Sequence, residues 1–168
     1  MKFYSPSLSE REKIHQSYSS AFPKDEQRDE GDFWALFQNP NAEILTIYNA
    51  ENFIGYLVLW HLSETVFIEH FEVFEEFRGQ SLGTRVLEFL KQKHSQIILE
   101  TEPAEFHTIA ERRVNFYERN GFTILKKDYI QPSYGEGKNP INLWLMGTFI
   151  PNDLAKLVSE IYQIVYQK

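Results

Sequence analysis

Residues 66–84 read VFIEHFEVFEEFRGQSLGT, an apolar run that gives way to a Gly-bearing turn. The first part, Val66 to Phe74, is rich in β-branched and aromatic side chains and predicts a strand. Beyond the turn, Val86, Leu87 and Leu90 share one helix face, so a helix starts near Gly83. A strand that passes through such a turn into a helix presents unpaired backbone N–H groups at the positive end of a helix dipole, an arrangement suited to an anion such as a pyrophosphate. Arg78 adds a charge, and Gly79 and Gly83 let a ligand approach the main chain closely. The turn lacks the Gly-Lys-Ser/Thr of a P-loop and the third Gly of a dinucleotide fingerprint. Taken alone, the stretch reads equally well as a tight turn with no ligand.

Working outward, QIILETE (96–102) is a short strand ending at Pro103. IAERRVNFYERNGF (109–122) is a helix stopped at Asn120-Gly121, since Gly tolerates the left-handed cap. FTILKKDYIQP and INLWLMGTFI read as two more strands. Asn152 or Asp153 caps a last amphipathic helix over 152–167, whose stripe of Leu154, Leu157, Val158, Ile161, Ile164 and Val165 packs on the domain or, alternatively, forms a dimer contact. Upstream, AEILTIYNAENFIGYLVLW is a pair of strands turning at Asn49–Asn52. The first forty residues are helical, with Ser9 and Glu12 as a capping box, Ile14 and Tyr18 on one face, and Asn39-Pro40 as a stop. Helices, strands, helix, strand, helix, strands is the order of an α/β, mixed α+β layered domain.

A length of 168 residues suits one domain over 1–168. A net charge of −7 argues against nucleic acid as partner and fits a cationic ligand better. With no cysteine there is no disulfide, thiolate metal site or Cys nucleophile. The five His residues show no metal-ligand spacing, and no Gly-x-Ser-x-Gly turn marks a hydrolase. No stretch is long and apolar enough to span a bilayer, and the start is too polar for a secretory signal, so a cytoplasmic protein is expected, as monomer or homodimer.

Arg78, Gln80 and Gly83, with Val73 five residues before Arg78, and Tyr117 just ahead of Gly121-Phe122 together resemble the two signature motifs of the GNAT superfamily of acyl-coenzyme A N-acyltransferases. ILETEP, RRVNFYERNGF and YIQPSYGEGKNPINLWLM are similar to a prokaryotic branch of unassigned acceptor. Ser81 stands where the superfamily usually has its central Gly, Ala110 where an Asn is frequent, and Arg113 where a small residue is common. The resemblance implies a central, mostly antiparallel sheet flanked by helices on both faces. It also implies transfer of an acetyl group from acetyl-coenzyme A to an amine in one complex, without a metal. Gly79, Gln80, Ser81, Leu82, Gly83 and Thr84 would hold the pyrophosphate with Arg78, and the backbone near Phe71 and Val73 would bind the pantetheine where two strands splay apart. Tyr117 would be the general acid, protonated at neutral pH because a free Tyr has a pKa of about 10.

The acceptor amine must lose a proton, and Glu69, His70 and Glu102 are candidates, beside Glu100 and His107. Strand alternation puts Glu69 on one face with Phe71 and Val73, and His70 on the other with Glu72. In this branch Tyr129, Gln131, Tyr134 and Lys138 could line the acceptor mouth. The acidic residues near it favour a small cationic amine. Acetylation of a protein or peptide amine, and a coenzyme A-binding module without catalysis, are the competing readings.

Overall fold

In the computed structural model, which describes residues 1–168, the chain forms seven strands and five α-helices. These are β1 (Lys2–Tyr4), α1 (Leu8–Ala21), α2 (Glu30–Ala35), β2 (Ala42–Asn49), β3 (Asn52–His61), β4 (Val66–Val73), α3 (Leu82–Lys93), β5 (Ile97–Thr101), α4 (Thr108–Arg119), β6 (Thr123–Gln131), β7 (Ile141–Gly147) and α5 (Leu154–Ile161). The strands make one sheet in the order β1-β2-β3-β4-β5-β7-β6, in which only β4 and β5 run parallel. The crossover between those two is α3, as a parallel pair requires.

The sheet separates two apolar cores. One face carries Leu57, Leu59 and Ile68 against Leu82, Val86, Leu87 and Leu90 of α3 and Val114 and Tyr117 of α4. The other carries Tyr56, Val58, Trp60 and Phe67 against Ile14 and Tyr18 of α1, Phe33 of α2, and Leu157 and Ile161 of α5. The expected stripe of α5 thus packs on the domain. Its last turn widens into a π-helical segment, Tyr162–Tyr166, that buries Val165 and Tyr166. Asp153 caps α5 by accepting a hydrogen bond from the Lys156 N–H at 2.9 Å.

Two local expectations shift. The capping box of α1 is Ser7 with Glu10, whose Oε2 accepts from the Ser7 N–H at 2.7 Å, and not Ser9 with Glu12. Both pairs have the spacing, and the earlier one prevails because nothing stops helix growth until Pro6. The opening residues expected to lead into a helix include the strand β1, paired with Thr46–Tyr48 and too short to show a period. No helix is long and apolar enough to cross a membrane.

Candidate active site

β4 and β5 pair only from Val66 to Ile68 and from Ile97 to Leu99, and then separate. β4 continues to Val73 with β3 on one side and no strand on the other. Because the Phe74 N–H bonds Ile54 O on β3, at 2.9 Å, the N–H and C=O of Val73 point the opposite way, to the open edge, and alternation sends those of Phe71 there too. The Val73 carbonyl is taken by Arg78 Nε at 2.9 Å. Its N–H is left facing the cleft, where it can meet a carbonyl oxygen.

The cleft leads to the turn before α3. Gly79 (φ 78°) and Ser81 (φ 56°) both adopt the left-handed region, and Ser81 is the N-cap. The first helical bond runs from the Arg85 N–H to Ser81 O, so the N–H groups of Leu82, Gly83 and Thr84 are free at the helix N-terminus. Arg78, Gly79, Gln80 and Ser81 are exposed beside them. These N–H groups and Arg78 fit a pyrophosphate. The serine keeps the backbone shape that a glycine would favour, at the cost of a strained φ. Gly83 faces the Phe116 ring, and a Cβ there would come within 3.1 Å of its Cζ.

Tyr117 projects from α4 on the same side as α3. Burial raises its hydroxyl pKa, partly opposed by Arg113, so it stays protonated. Its hydroxyl carries none of the protein hydrogen bonds that engage Tyr18, Tyr129, Tyr134 and Tyr166. Ala110 is buried, and its N–H is capped by His107 Nδ1 at 3.1 Å. His107 therefore serves as the N-cap of α4.

On the opposite face the alternation expected for β4 fails. Val58 pairs with His70 but Leu59 pairs with Ile68, so Glu69 is an extra residue in a β-bulge. Glu69 and His70 consequently both point to the α1 side, while Phe71 packs on the α3 side. Glu69 is not on the face of Phe71.

The Glu69 side chain is 1% exposed. Its Oε1 accepts from Arg28 Nη2 (2.6 Å), Arg28 Nε (3.0 Å) and the Tyr134 hydroxyl (2.7 Å), and its Oε2 accepts from Trp60 Nε1 (2.7 Å). Burial pushes its carboxyl up, but Arg28 and the Trp60 and Tyr134 donors outweigh burial and hold it below the usual range. Three donors crowd Oε1, and Trp60 holds Oε2. His70, 4.0 Å from Glu69 Oε1, is packed between the Tyr18 and Phe22 rings, and neither ring nitrogen has a partner. Burial lowers its pKa to about 4, so the imidazole is neutral at pH 7.

The end of β5 is equally polar. Glu100 accepts from Tyr129 and, at 2.7 Å, from Tyr166. Glu102 pairs with Arg113 (2.9 Å) and His107 (3.3 Å). Glu26 lies opposite, on the link between α1 and α2, and burial followed by the charge of Glu102 pushes its carboxyl up to about 7. The β6–β7 loop closes over this region. Gln131 Nε2 donates to Asp25 O (3.3 Å), Asn139 to the Asp25 carboxylate (3.0 Å), and Lys138 to Gln27 O (2.6 Å), with Lys138 also paired to Asp29 (2.7 Å). Tyr129 and Tyr134 of the expected mouth are thus bonded into the interior, and Gln131 and Lys138 clasp the α1–α2 link. Sequence reasoning missed Arg28, Glu26, Trp60 and Tyr166, none of which lies in a recognisable pattern.

The chain matches the acetyltransferase (GNAT) family over residues 11–122. It is similar to the YjbC protein of Bacillus subtilis, named for a presumed acetyltransferase activity, at 29% identity over 110 residues, or 64% of this chain and 55% of that protein. The chain therefore spans about half the length of that curated relative. A GNAT-family protein of Bacteroides thetaiotaomicron superposes with a TM-score of 0.91 at 28% identity, over 100% of this chain and 99% of that one. A Bacillus subtilis acetyltransferase solved with coenzyme A shares the fold, with a TM-score of 0.61 at 13% identity over 89% and 97% of the two chains. Family match, sheet order, strand splay and anion-ready turn agree, and the chain belongs to the acetyltransferase (GNAT) family.

Proposed function

We propose that this domain acetylates a small cationic primary amine by direct attack on acetyl-coenzyme A, with Tyr117 as general acid. The observation that carries the reading is the splay of β4 from β5 between two unlike faces. On the α3–α4 side lie the anion-ready turn and the protonated Tyr117 hydroxyl, suited to a thioester and its leaving thiolate. On the α1–α5 side lie Glu26 and Glu100, with Glu102 at the end of the same strand, carboxyl groups that attract a cation when ionised. Attack from one side and departure on the other suit a direct displacement at the thioester carbonyl, whose oxygen the free Val73 N–H can meet.

The clasp between the β6–β7 loop and the α1–α2 link favours a small acceptor over a protein, which needs an open groove at the mouth. Each sequence candidate takes a distinct part. Glu69, paired with the Arg28 guanidinium, anchors Arg28 and Tyr134. Glu102, 20% exposed and paired with Arg113 and His107, shapes the field at the cleft. His70, neutral and enclosed by the Tyr18 and Phe22 rings, packs the wall of the acceptor side.

The test is acetyl-coenzyme A binding by calorimetry beside thiol release over a panel of neutral, acidic and polycationic amines. Polycationic amines should turn over fastest. Tyr117→Phe should lose about 10²–10³-fold in kcat with little change in acetyl-coenzyme A affinity. Strong activity on neutral or acidic amines, with none on polycationic ones, would exclude the cationic acceptor. Full activity in Tyr117→Phe would exclude the general acid.

A further inference from the structure

Glu100 is the first residue of β5 past its pairing with β4, and it faces the α1–α5 side. The segment that holds it comes from the far end of the chain. Tyr166, in the π-helical turn, donates to Glu100 Oε2 at 2.7 Å, and Tyr129 of β6 donates to Oε1. One residue earlier, Val165 O accepts from Arg28 Nη2 at 2.9 Å, and Arg28 in turn holds Glu69. Tyr162, four residues before Tyr166, donates to Ile130 O at 2.5 Å and fixes the turn to β6. This last turn therefore meets β5 directly and β4 through Arg28.

We propose that Glu100 is the base that takes the proton from the incoming ammonium, and that Tyr166, together with Tyr129, positions it, so that the C-terminal turn is a working part of the active site. The inference rests on the reading above that the splay is the reaction centre and Tyr117 the acid.

Among the carboxylates of the acceptor side, Glu69 is paired with the Arg28 guanidinium and Glu102 with Arg113 and His107, and Glu26 lies on the α1–α2 link and not on a strand of the splay. Each oxygen of Glu100 carries one tyrosine donor and keeps a second lone pair. The groups facing it are Tyr129 of β6, Tyr134 of the β6–β7 loop, Tyr162 and Tyr166 of the C-terminal turn, Glu69 of β4 and Glu26 of the α1–α2 link. Burial, opposed by the two tyrosine hydrogen bonds, pushes its carboxyl up to about 8, a stronger base than a surface glutamate when ionised.

The protons balance. The ammonium gives one proton to the Glu100 carboxylate. The freed nitrogen lone pair forms the N–C bond at the thioester carbonyl. The C–S bond breaks with its electron pair on sulfur, which takes the Tyr117 proton. The second nitrogen proton returns to the Tyr117 oxygen through water, and Glu100 releases its proton to solvent.

The experiment compares Glu100→Gln and Tyr166→Phe with the wild-type chain, measuring kcat and KM against pH for the best amine of the panel, with acetyl-coenzyme A affinity as the folding control. Glu100→Gln should lower kcat by about 10²–10⁴-fold and abolish the rise of kcat with pH. Tyr166→Phe should lower kcat by about tenfold, leave KM nearly unchanged and move that rise to higher pH, because a hydrogen bond to the ionised carboxylate is lost. If Glu100→Gln does not fold, Glu100→Asp, which withdraws the carboxylate, should show a similar loss of kcat. Wild-type kcat and pH profile in the Glu100 variant, with Tyr117→Phe impaired, overturns this inference alone. An unmoved profile in Tyr166→Phe overturns the positioning role. Turnover that depends on neither Tyr117 nor Glu100 overturns the reading beneath it as well.

Discussion

The two faces of the sheet are built by different rules. On the α3–α4 face the site is local: Arg78 to Thr84 are consecutive, the donors are backbone N–H groups, and the packing beneath is apolar. On the α1–α5 face the site is made of side chains far apart in sequence. Arg28 meets Glu69 across 41 positions, Tyr134 meets Glu69 across 65, and Tyr166 meets Glu100 across 66. A phosphate group can be met by main chain. An acceptor is particular to one enzyme and has to be met by side chains that tertiary folding assembles.

The contrast can be broken first at Arg28. Arg28→Met leaves Glu69 ionised and buried without its cation, and should cost about 3–5 kcal/mol in urea denaturation at pH 7. A loss below about 1 kcal/mol would mean that Trp60 and Tyr134 hold the carboxylate unaided and that the face does not depend on its ion pair.

His70 tests the same face by pH. Its folded pKa, about 4, lies below the model-compound value of 6.5. The unfolded chain therefore binds the proton first, and this contribution to stability is complete above pH 6.5 and lost as pH falls toward 4. The stability difference between wild type and His70→Gln should shift by about 3 kcal/mol across that window. Glu100 has the opposite sign. Raised from 4.5 to about 8, it contributes fully below pH 4.5 and loses that contribution as pH rises through 8. Opposed slopes in the two variants would sharpen the contrast, and a flat His70→Gln difference would remove His70 from the buried set.

The smallest effect belongs to the other face. Ser81→Gly should relieve the left-handed φ, offset in part by glycine's entropy, for a net gain of about 0.5–1 kcal/mol in thermal unfolding. Acetyl-coenzyme A affinity should hold or tighten slightly. A marked loss of affinity would show that the Ser81 hydroxyl itself binds the phosphate.

What could be read in advance follows this division. Strands β2 to β7 and helices α3 and α4 announce themselves through period, turn residues and a Gly stop, and the anion-binding turn lies within one short stretch. The polarity of residues 69 and 70 was legible, but their facing was not. One bulge between Val58 and Leu59 puts Glu69 and His70 on the same side, and a bulge is set by pairing with a neighbour, which no single strand records. Ser7 and Ser9 offer the same cap spacing, and only the upstream chain decides between them.

By itself, then, the amino-acid sequence determined the layered fold, the strand–turn–helix that suits a phosphate, and the tyrosine of α4, because each rests on short-range periodicity and backbone geometry. Only the tertiary structure decided that Glu69 is neutralised by Arg28, that His70 is buried without a partner, and that the last turn of the chain reaches Glu100. Ionisation and hydrogen bonding depend on burial and on what lies within a few ångströms, and those neighbours come from distant parts of the chain.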